Sequence, residues 1–280
     1  MSGSSTAITY GQSLIASSLS GIVATDPISR TPIVGALAWN DGSTTFPSIS
    51  DSNTTPYTYT FTATTYPDLY KTVSGITTVK VDKAVIIVSA DNKTKIYGDD
   101  NPILTVSYSG FVNGQNESIL SSKPVISTSA DKYSPAGTYP ITLSGGGTAD
   151  NYTVTYVDGT LTIDKAILTV TADDVSKTYS DDNPILTVSY SGFVNGQNES
   201  VLITKPIANT NADKESPIGT YAITLSGGVA DNYAFEYVDG TLTVTSDIHR
   251  LILLISLITA GVLAISAAAI LIIRKKHKQT

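Results

Sequence analysis

The strongest constraint on this chain is that it repeats itself. The run Tyr97-Gly-Asp-Asp-Asn-Pro-Ile-Leu-Thr-Val-Ser-Tyr108 returns as Tyr179-Ser-Asp-Asp-Asn-Pro-Ile-Leu-Thr-Val-Ser-Tyr190, 82 positions later. Ser-Gly-Phe-Val-Asn-Gly-Gln-Asn-Glu-Ser comes next in both, at 109–118 and 191–200. Asp150-Asn-Tyr152 returns as Asp231-Asn-Tyr233 at an offset of 81, because one glycine of Gly145-Gly146-Gly147 is lost. Tyr156-Val-Asp-Gly-Thr-Leu161 returns as Tyr237-Val-Asp-Gly-Thr-Leu242. Each copy opens on Lys-Ala, at Lys83 and at Lys165, and runs for about 80 residues, enough to close a small core of its own. Tandem folding units are therefore expected, rather than solenoid turns that depend on neighbours.

Inside a copy the hydrophobic period is two. Leu104, Val106 and Tyr108 alternate with Thr105 and Ser107. Tyr139, Ile141 and Leu143 alternate with Pro140 and Thr142, and Tyr152, Val154 and Tyr156 with Thr153 and Thr155. This is the pattern of strands with one buried and one wet face. In the opening strand Ile86 and Val88 share a face, as do Leu168 and Val170, and position 87, Thr169 in the second copy, falls on the exposed one. Asp158-Gly159 and Asp239-Gly240 read as two-residue hairpin turns of type I′. Pro140 cannot donate to a sheet ladder, which confines it to edges, strand starts and bulges and predicts that its amide position in strand 137–144 faces away from any partner. At Asn116-Glu-Ser-Ile-Leu120 a single helical turn capped by Asn116 and a plain loop are both compatible with the sequence.

Residues 1–82 form a more divergent unit. Ile8-Thr-Tyr-Gly11 echoes Lys95-Ile-Tyr-Gly98, and Thr77-Thr-Val-Lys-Val-Asp-Lys-Ala84 echoes Thr160-Leu-Thr-Ile-Asp-Lys-Ala166. The stretch between, with Trp39 and Phe46, has no counterpart downstream. An immunoglobulin-like β-sandwich is expected there.

Charge and hydropathy place the chain. Leu251 to Ile273 carries no charged residue, long enough for a helix to cross the ~30 Å hydrocarbon core. The hydroxyls of Ser256, Thr259 and Ser266 can bond back to helical carbonyls. Arg274, Lys275, Lys276 and Lys278 come directly after it, so the tail is expected in the cytoplasm and residues 1–248 outside. Of 17 basic residues five lie at or beyond position 250, while all 24 acidic ones precede it. The exterior part thus carries a net charge of −12, derived from 12 basic and 24 acidic residues. That balance argues against nucleic acid, which needs a basic face. Zero cysteines exclude disulfide frameworks, thiol nucleophiles and thiolate metal sites. Met1 to Tyr10 lacks the basic and apolar regions of a signal peptide. The expectation is therefore a C-terminal piece of a longer exported protein, or a truncated gene model.

Together, the Lys-Ala opening, Tyr-Gly-Asp-Asp-Asn-Pro, Leu-Thr-Val-Ser-Tyr-Ser-Gly-Phe-Val-Asn-Gly-Gln, Gly-Thr-Tyr-x-Ile-Thr-Leu-Ser-Gly-Gly, Asp-Asn-Tyr and Gly-Thr-Leu-Thr resemble the MBG-type repeat of bacterial surface proteins. The resemblance covers 83–246, and Ser180 departs from it by replacing the glycine. Residues 5–82 resemble the Ig-like repeats that accompany such modules in large adhesins. The resemblance implies a mainly β chain of three tandem small domains: an Ig-like sandwich at 1–82 and MBG or β-grasp-like modules at 83–164 and 165–246. A juxtamembrane 247–250, a transmembrane helix at 251–273 and a basic tail at 274–280 complete the expected organisation. It carries over no catalytic residues.

The function expected is a membrane-anchored stalk that presents distal domains. Strands of ~8–10 residues make a unit roughly 30 Å long, so three in series span about 90–100 Å. Alternatives are a glycan- or protein-binding adhesion module, with a host glycan or surface protein as partner, and a component that self-associates through strand edges. An enzyme is not expected, since both histidines (249 and 277) border the apolar run and cannot meet a serine of the repeats. Asp99-Asp100 and Asp181-Asp182 offer oxygen ligands to calcium, but lack the spacing and bidentate glutamate of an EF-hand loop. Acids before Asn-Pro also build turns. Tyr97, Tyr108, Tyr152 and Tyr156, with Tyr179, Tyr190, Tyr233 and Tyr237, are the candidate sugar-stacking groups; core packing is the alternative use of the same residues.

Overall fold

A computed structural model describes residues 3–246 together with 252, 255–259 and 262. The chain divides into two compact units. One holds the chain up to Lys95 with Asp100–Asp131 and Gly137–Ile163; the other holds Ile96–Asp99, Lys132–Ala136 and the chain from Asp164. The architecture is mainly β, and the described residues up to 246 contain only single turns of 3-10 helix.

Each repeat uses the same two sheets. In the first copy a three-stranded sheet runs Val106–Ser109, Ala84–Ala90, Tyr152–Val157, and a four-stranded sheet runs Lys93–Ile96, Gly159–Asp164, Gly137–Ser144, Val125–Thr128. The second copy repeats both orders, with Val188–Ser191, Ala166–Ala172, Tyr233–Val238 and with Val175–Thr178, Gly240–Thr245, Gly219–Val229, Thr204–Thr210. The opening strand is central in the smaller sheet. It pairs antiparallel on one side, with Val88 opposite Tyr108, and parallel on the other, with Val88 opposite Tyr156. Ile86, Val88, Ile141 and Leu161 are fully buried, as are Leu168, Val170, Ile223 and Leu242 in the second copy. The alternation read from the sequence therefore assigns the faces correctly, and Ile87 is exposed.

One local expectation needs correction. Asp158-Gly159 does not close a hairpin. Tyr152–Val157 belongs to the smaller sheet and Gly159–Asp164 to the larger, so this dipeptide carries the chain from one sheet to the other. Gly159 does not adopt a left-handed backbone. It is glycine because a Cβ there would sit 2.6 Å from the Ala90 carbonyl oxygen; at Gly240 the distance to the Ala172 oxygen would be 2.4 Å. Asp158 accepts from the Leu143 N–H at 3.2 Å.

Pro140 lies in an internal strand, yet its amide position faces no partner, as the sequence predicts. Its register partner is Thr160 on one side, while on the other the ladder ends one residue earlier, at Thr128 opposite Ile141. The Pro140 carbonyl accepts from the Thr128 hydroxyl at 2.8 Å. The N and C=O of one extended residue point to the same side, so the absent N–H faces the side where pairing has stopped. Ala222 stands in the same place, its carbonyl accepting from Thr210 Oγ1 at 2.9 Å.

The segment between the third and fourth strands of the copy, Val106–Ser109 and Val125–Thr128, is one 3-10 turn, Glu117–Ile119, capped by Asn116 Oδ1 accepting from Ser118 N–H at 3.0 Å. Glu199–Val201 repeats it with Asn198. Asparagine caps because its side-chain oxygen satisfies an N–H that the first turn leaves unpaired.

Residues 3–82 contain an antiparallel meander, Gly35–Trp39, Tyr57–Ala63, Val73–Thr77. Ile8–Thr9 pairs parallel with Val81–Asp82, which matches the parallel pairing of Val175–Thr178 with Gly240–Thr245. The sequence echoes at the two ends of this segment thus mark one shared piece of structure. Its carboxylates are held by hydrogen bonds. Asp26 accepts from Tyr70 Oη at 2.6 Å and from the Ser29 and Ile28 amides, and the tyrosine bond first, then the amides, hold its pKa down to about 2. Asp51 is likewise lowered, chiefly by the Ser48 hydroxyl and then by the Ser48 amide. Both pKa values lie below their unfolded values, so their stabilisation is present above about pH 4 and is lost as pH falls below it, for Asp26 toward about 2. Trp39 is the only tryptophan of the chain and donates to the Ser17 carbonyl, so its emission reports this segment. Urea midpoints followed by Trp39 are expected to fall between about pH 4 and about pH 2; a constant midpoint over that range would contradict the assignment.

The expected transmembrane helix at 251–273 lies largely outside the described residues, as do 247–250 and 274–280. Residues 255–259 are helical, and Thr259 Oγ1 bonds back to the Ile255 and Ser256 carbonyls at 3.0 and 2.9 Å. Among the described residues no helix is long and apolar enough to cross a membrane.

Candidate functional site

The residues that make the repeat recognisable gather around one recurring element. Tyr10-Gly11, Tyr97-Gly98 and Tyr179-Ser180 each come after a short strand and turn back with a positive φ at the second residue, of 94°, 93° and 68°. In each the tyrosine N–H donates to the carbonyl that ends the closing strand: Asp82 at 2.8 Å, Asp164 at 2.8 Å and Thr245 at 2.9 Å.

Two of these turns are covered. In the first unit the Tyr10 ring meets the Tyr152 ring edge-on at 5.3 Å, and Phe111 meets Tyr152 from another side at 6.1 Å. Tyr152 Oη donates to Gln115 Oε1 at 2.5 Å and accepts from the Val112 N–H at 3.1 Å. The second unit builds the same seat. Tyr97 meets Tyr233 edge-on at 5.7 Å, Phe193 meets Tyr233 at 5.5 Å, and Tyr233 Oη donates to Gln197 Oε1 at 2.5 Å. Gln197 Nε2 donates to Tyr97 Oη at 3.0 Å. Edge-to-face rings place a positive rim on a negative face, and the glutamine satisfies both buried hydroxyls. Burial, then the neighbouring Tyr97, push the Tyr233 phenol above 10, against the Val194 N–H bond that lowers it.

Asn151 and Asn232 add a second anchor. Asn151 Oδ1 accepts from the Ile49 N–H at 2.9 Å, and Asn232 Oδ1 from the Ala136 N–H at 2.9 Å. Their own carbonyls receive the Ala84 and Ala166 amides, which start the opening strands. Phe-Val-Asn-Gly-Gln, Asp-Asn-Tyr and Tyr-Gly, distant in sequence, are thus one packed cluster.

The acidic pairs sit on the same turns. Asp99 and Asp181 donate their amides back to the Ile96 and Thr178 carbonyls at 3.1 Å, and Asp182 forms an exposed ion pair with Lys214 at 3.3 Å. Beneath them Asn101 and Asn183 donate to the Ala130 and Ala212 carbonyls at 2.6 Å. Buried Lys95 donates to the Asp131 carbonyl at 2.6 Å, and buried Lys177 donates to the Asp213 and Asp181 carbonyls. The cation serving these carbonyls is an ammonium of the chain itself. Among the described residues no group of three acidic, histidine or cysteine side chains is placed to hold a metal ion.

Four of the remaining tyrosines also make internal contacts. Tyr156 Oη donates to the Gly146 and Gly145 carbonyls, and Tyr237 Oη to the Gly227 carbonyl. Tyr108 and Tyr190 tilt against Phe111 and Phe193. From sequence these tyrosines are sugar-stacking or core groups; the geometry puts Tyr97, Tyr152 and Tyr233 in buried seats and leaves Tyr179 and Tyr237 exposed. Sequence reasoning missed Val112, Val194, Gln115 and Gln197. The only signal for them was their identical recurrence.

The family model described as MBG domain (YGX type) matches residues 86–162 and 168–243. No curated protein sequence matches the chain. Among solved structures it is similar to Drosophila N-cadherin EC1-3, at 10% identity over 86% of this chain and 97% of that one, with a TM-score of 0.25. The I9-I11 tandem from titin is 13% identical over 86% and 97%, with a TM-score of 0.23. The three N-terminal domains of the bacteriophage RB49 outer capsid protein Hoc are 12% identical over 87% and 98%, with a TM-score of 0.25.

Proposed function

Because the chain belongs to the MBG domain family of the YGX type, which it carries as two tandem copies, we propose that it is the membrane-proximal repeat region of a bacterial surface protein of the adhesin kind, a spacer rather than an enzyme. In this reading residues 1–82 are an Ig-like repeat, 251–273 anchor the chain, 274–280 lie in the cytoplasm, and specific binding to a glycan or a surface protein belongs to domains further from the membrane.

One observation carries the spacer reading. Apart from the exposed Tyr179 and Tyr237, the recurring polar and aromatic side chains, which in a catalytic or ligand-binding family would face a cleft, are consumed in internal packing: Tyr97, Tyr152 and Tyr233 in seats, Lys95 and Lys177 on carbonyls. The anchor reading is supported by the uncharged run and by Ile255, Leu257 and Ile258, helical residues each more than half exposed, as side chains meant for lipid would be.

Topology is directly testable because the chain contains no cysteine. Thr142→Cys and Lys278→Cys variants, expressed with an export signal, are treated on intact cells with a membrane-impermeant maleimide. Labelling at 142 and protection at 278 is expected. Protection of both, or labelling of 278 alone, would overturn the orientation. A spacer also requires an extended particle in scattering, of the length the sequence gives for three units in series.

A further inference from the structure

The three tyrosine turns carry Gly, Gly and Ser directly after the tyrosine, and that difference coincides with whether the turn is covered. Tyr10 is 8% exposed and Tyr97 4%, while Tyr179 is 42% exposed. Gly11 and Gly98 stand after the buried tyrosines; Ser180 stands after the exposed one. A Cβ on Gly11 would lie 2.6 Å from Val112 Cγ2 and 2.7 Å from Val112 Cβ. A Cβ on Gly98 would lie 2.6 Å from Val194 Cγ2 and 2.8 Å from Val194 Cβ. The obstacle includes the branch point of a valine, which has little rotamer freedom to move aside. A side chain at this position therefore conflicts with the seat, apart from the cost of its left-handed backbone.

We infer that the Tyr-Gly turn is a docking key for the next repeat along the chain, that Phe-Val-Asn-Gly-Gln with the Asp-Asn-Tyr tyrosine is the seat, and that Ser180 closes the array by denying its key to any further repeat. The occupant is specified: an MBG copy presenting a valine and a glutamine, as Val112 and Gln115 receive Tyr10-Gly11, and Val194 and Gln197 receive Tyr97-Gly98. The key does not require the preceding unit to be an MBG repeat, since Tyr10-Gly11 comes from the divergent 1–82 segment. The seat does require an MBG copy. Repeats thereby succeed one another in a defined order, and the last copy before the apolar run is marked by one side chain. Docking of key into seat does not depend on the chain being a surface spacer.

The test reads tyrosine accessibility in the full chain, by nitration with tetranitromethane and mapping by mass spectrometry. In the unaltered chain Tyr179 is expected to react and Tyr10 and Tyr97 to be protected. Gly98→Ser is expected to raise Tyr97 nitration to the level of Tyr179, with Tyr152 still protected and the far-ultraviolet circular dichroism unchanged. Protection of Tyr97 in that variant would overturn the key. A gain-of-function arm does not depend on damage: a further copy of residues 165–246 is inserted after Ser246, with and without Ser180→Gly. Tyr179 is expected to become protected only with the substitution. Equal reactivity of Tyr179 in the two inserted chains would overturn the role of Ser180, even if Gly98→Ser fails to fold.

Discussion

Gly110→Ala is expected to destabilise the first repeat by about 4 kcal/mol or more, against the roughly 5–15 kcal/mol that typically holds a small domain together. Two costs combine. Gly110 has a φ of 92°, a region that a Cβ makes strained by about 1–3 kcal/mol. The added Cβ would also stand 2.1 Å from the Val85 carbonyl oxygen. That oxygen belongs to the central strand of the smaller sheet, so relief requires moving a strand paired on both sides. Gly114 provides the control within the same loop. Its φ is 68°, and a Cβ there meets nothing within 4 Å. Gly114→Ala should cost about 1 kcal/mol, the conformational part alone. Urea denaturation of both variants checks this, and equal losses would show that the close approach contributes nothing.

Leu242→Ala should remove about 2–5 kcal/mol from the second repeat. Leu242 is fully buried and packs with Ile223, Ala172 and Ala212, beneath Tyr221, Leu186 and Val175. The deleted carbons leave a cavity lined by strands of the larger sheet and by Ala172, the end of the opening strand. Hydrogen-bonded ladders do not collapse readily into such a void, which favours the upper part of the range. Thr241→Ala, on the neighbouring outward-facing position, should change stability by less than about 0.5 kcal/mol. If calorimetry finds the two variants equally destabilised, the assignment of faces is wrong.

These two residues separate what was legible from what was not. Leu242 could be placed inside from the sequence, since Leu242 and Val244 alternate with hydroxyl residues and the same parity recurs at Leu161 and Ile163. Local composition likewise offered Asn116 as a cap candidate beside a plain loop, because capping is a local exchange between a side chain and an amide two residues on. Asp158-Gly159 was misread as a hairpin for the opposite reason. The dipeptide has the composition of a tight turn, but the strand after it pairs in another sheet. Its glycine answers to Ala90, some seventy positions earlier, and no local pattern reports that.

The seat around Tyr97 shows the same division. Repetition alone established that Tyr-Gly, Phe-Val-Asn-Gly-Gln and Asp-Asn-Tyr matter, and the change to serine at position 180 was visible in the repeat itself. That the three motifs meet was decided by tertiary structure, since the contact joins positions about a hundred residues apart. The sequence by itself determined the period, the inward faces and the tandem organisation, because each depends on side chains close along one strand. Only the folded chain decided which strands share a sheet, which glycines must lack a Cβ and which tyrosines are covered, because each of those is fixed by atoms that the backbone brings together from far away.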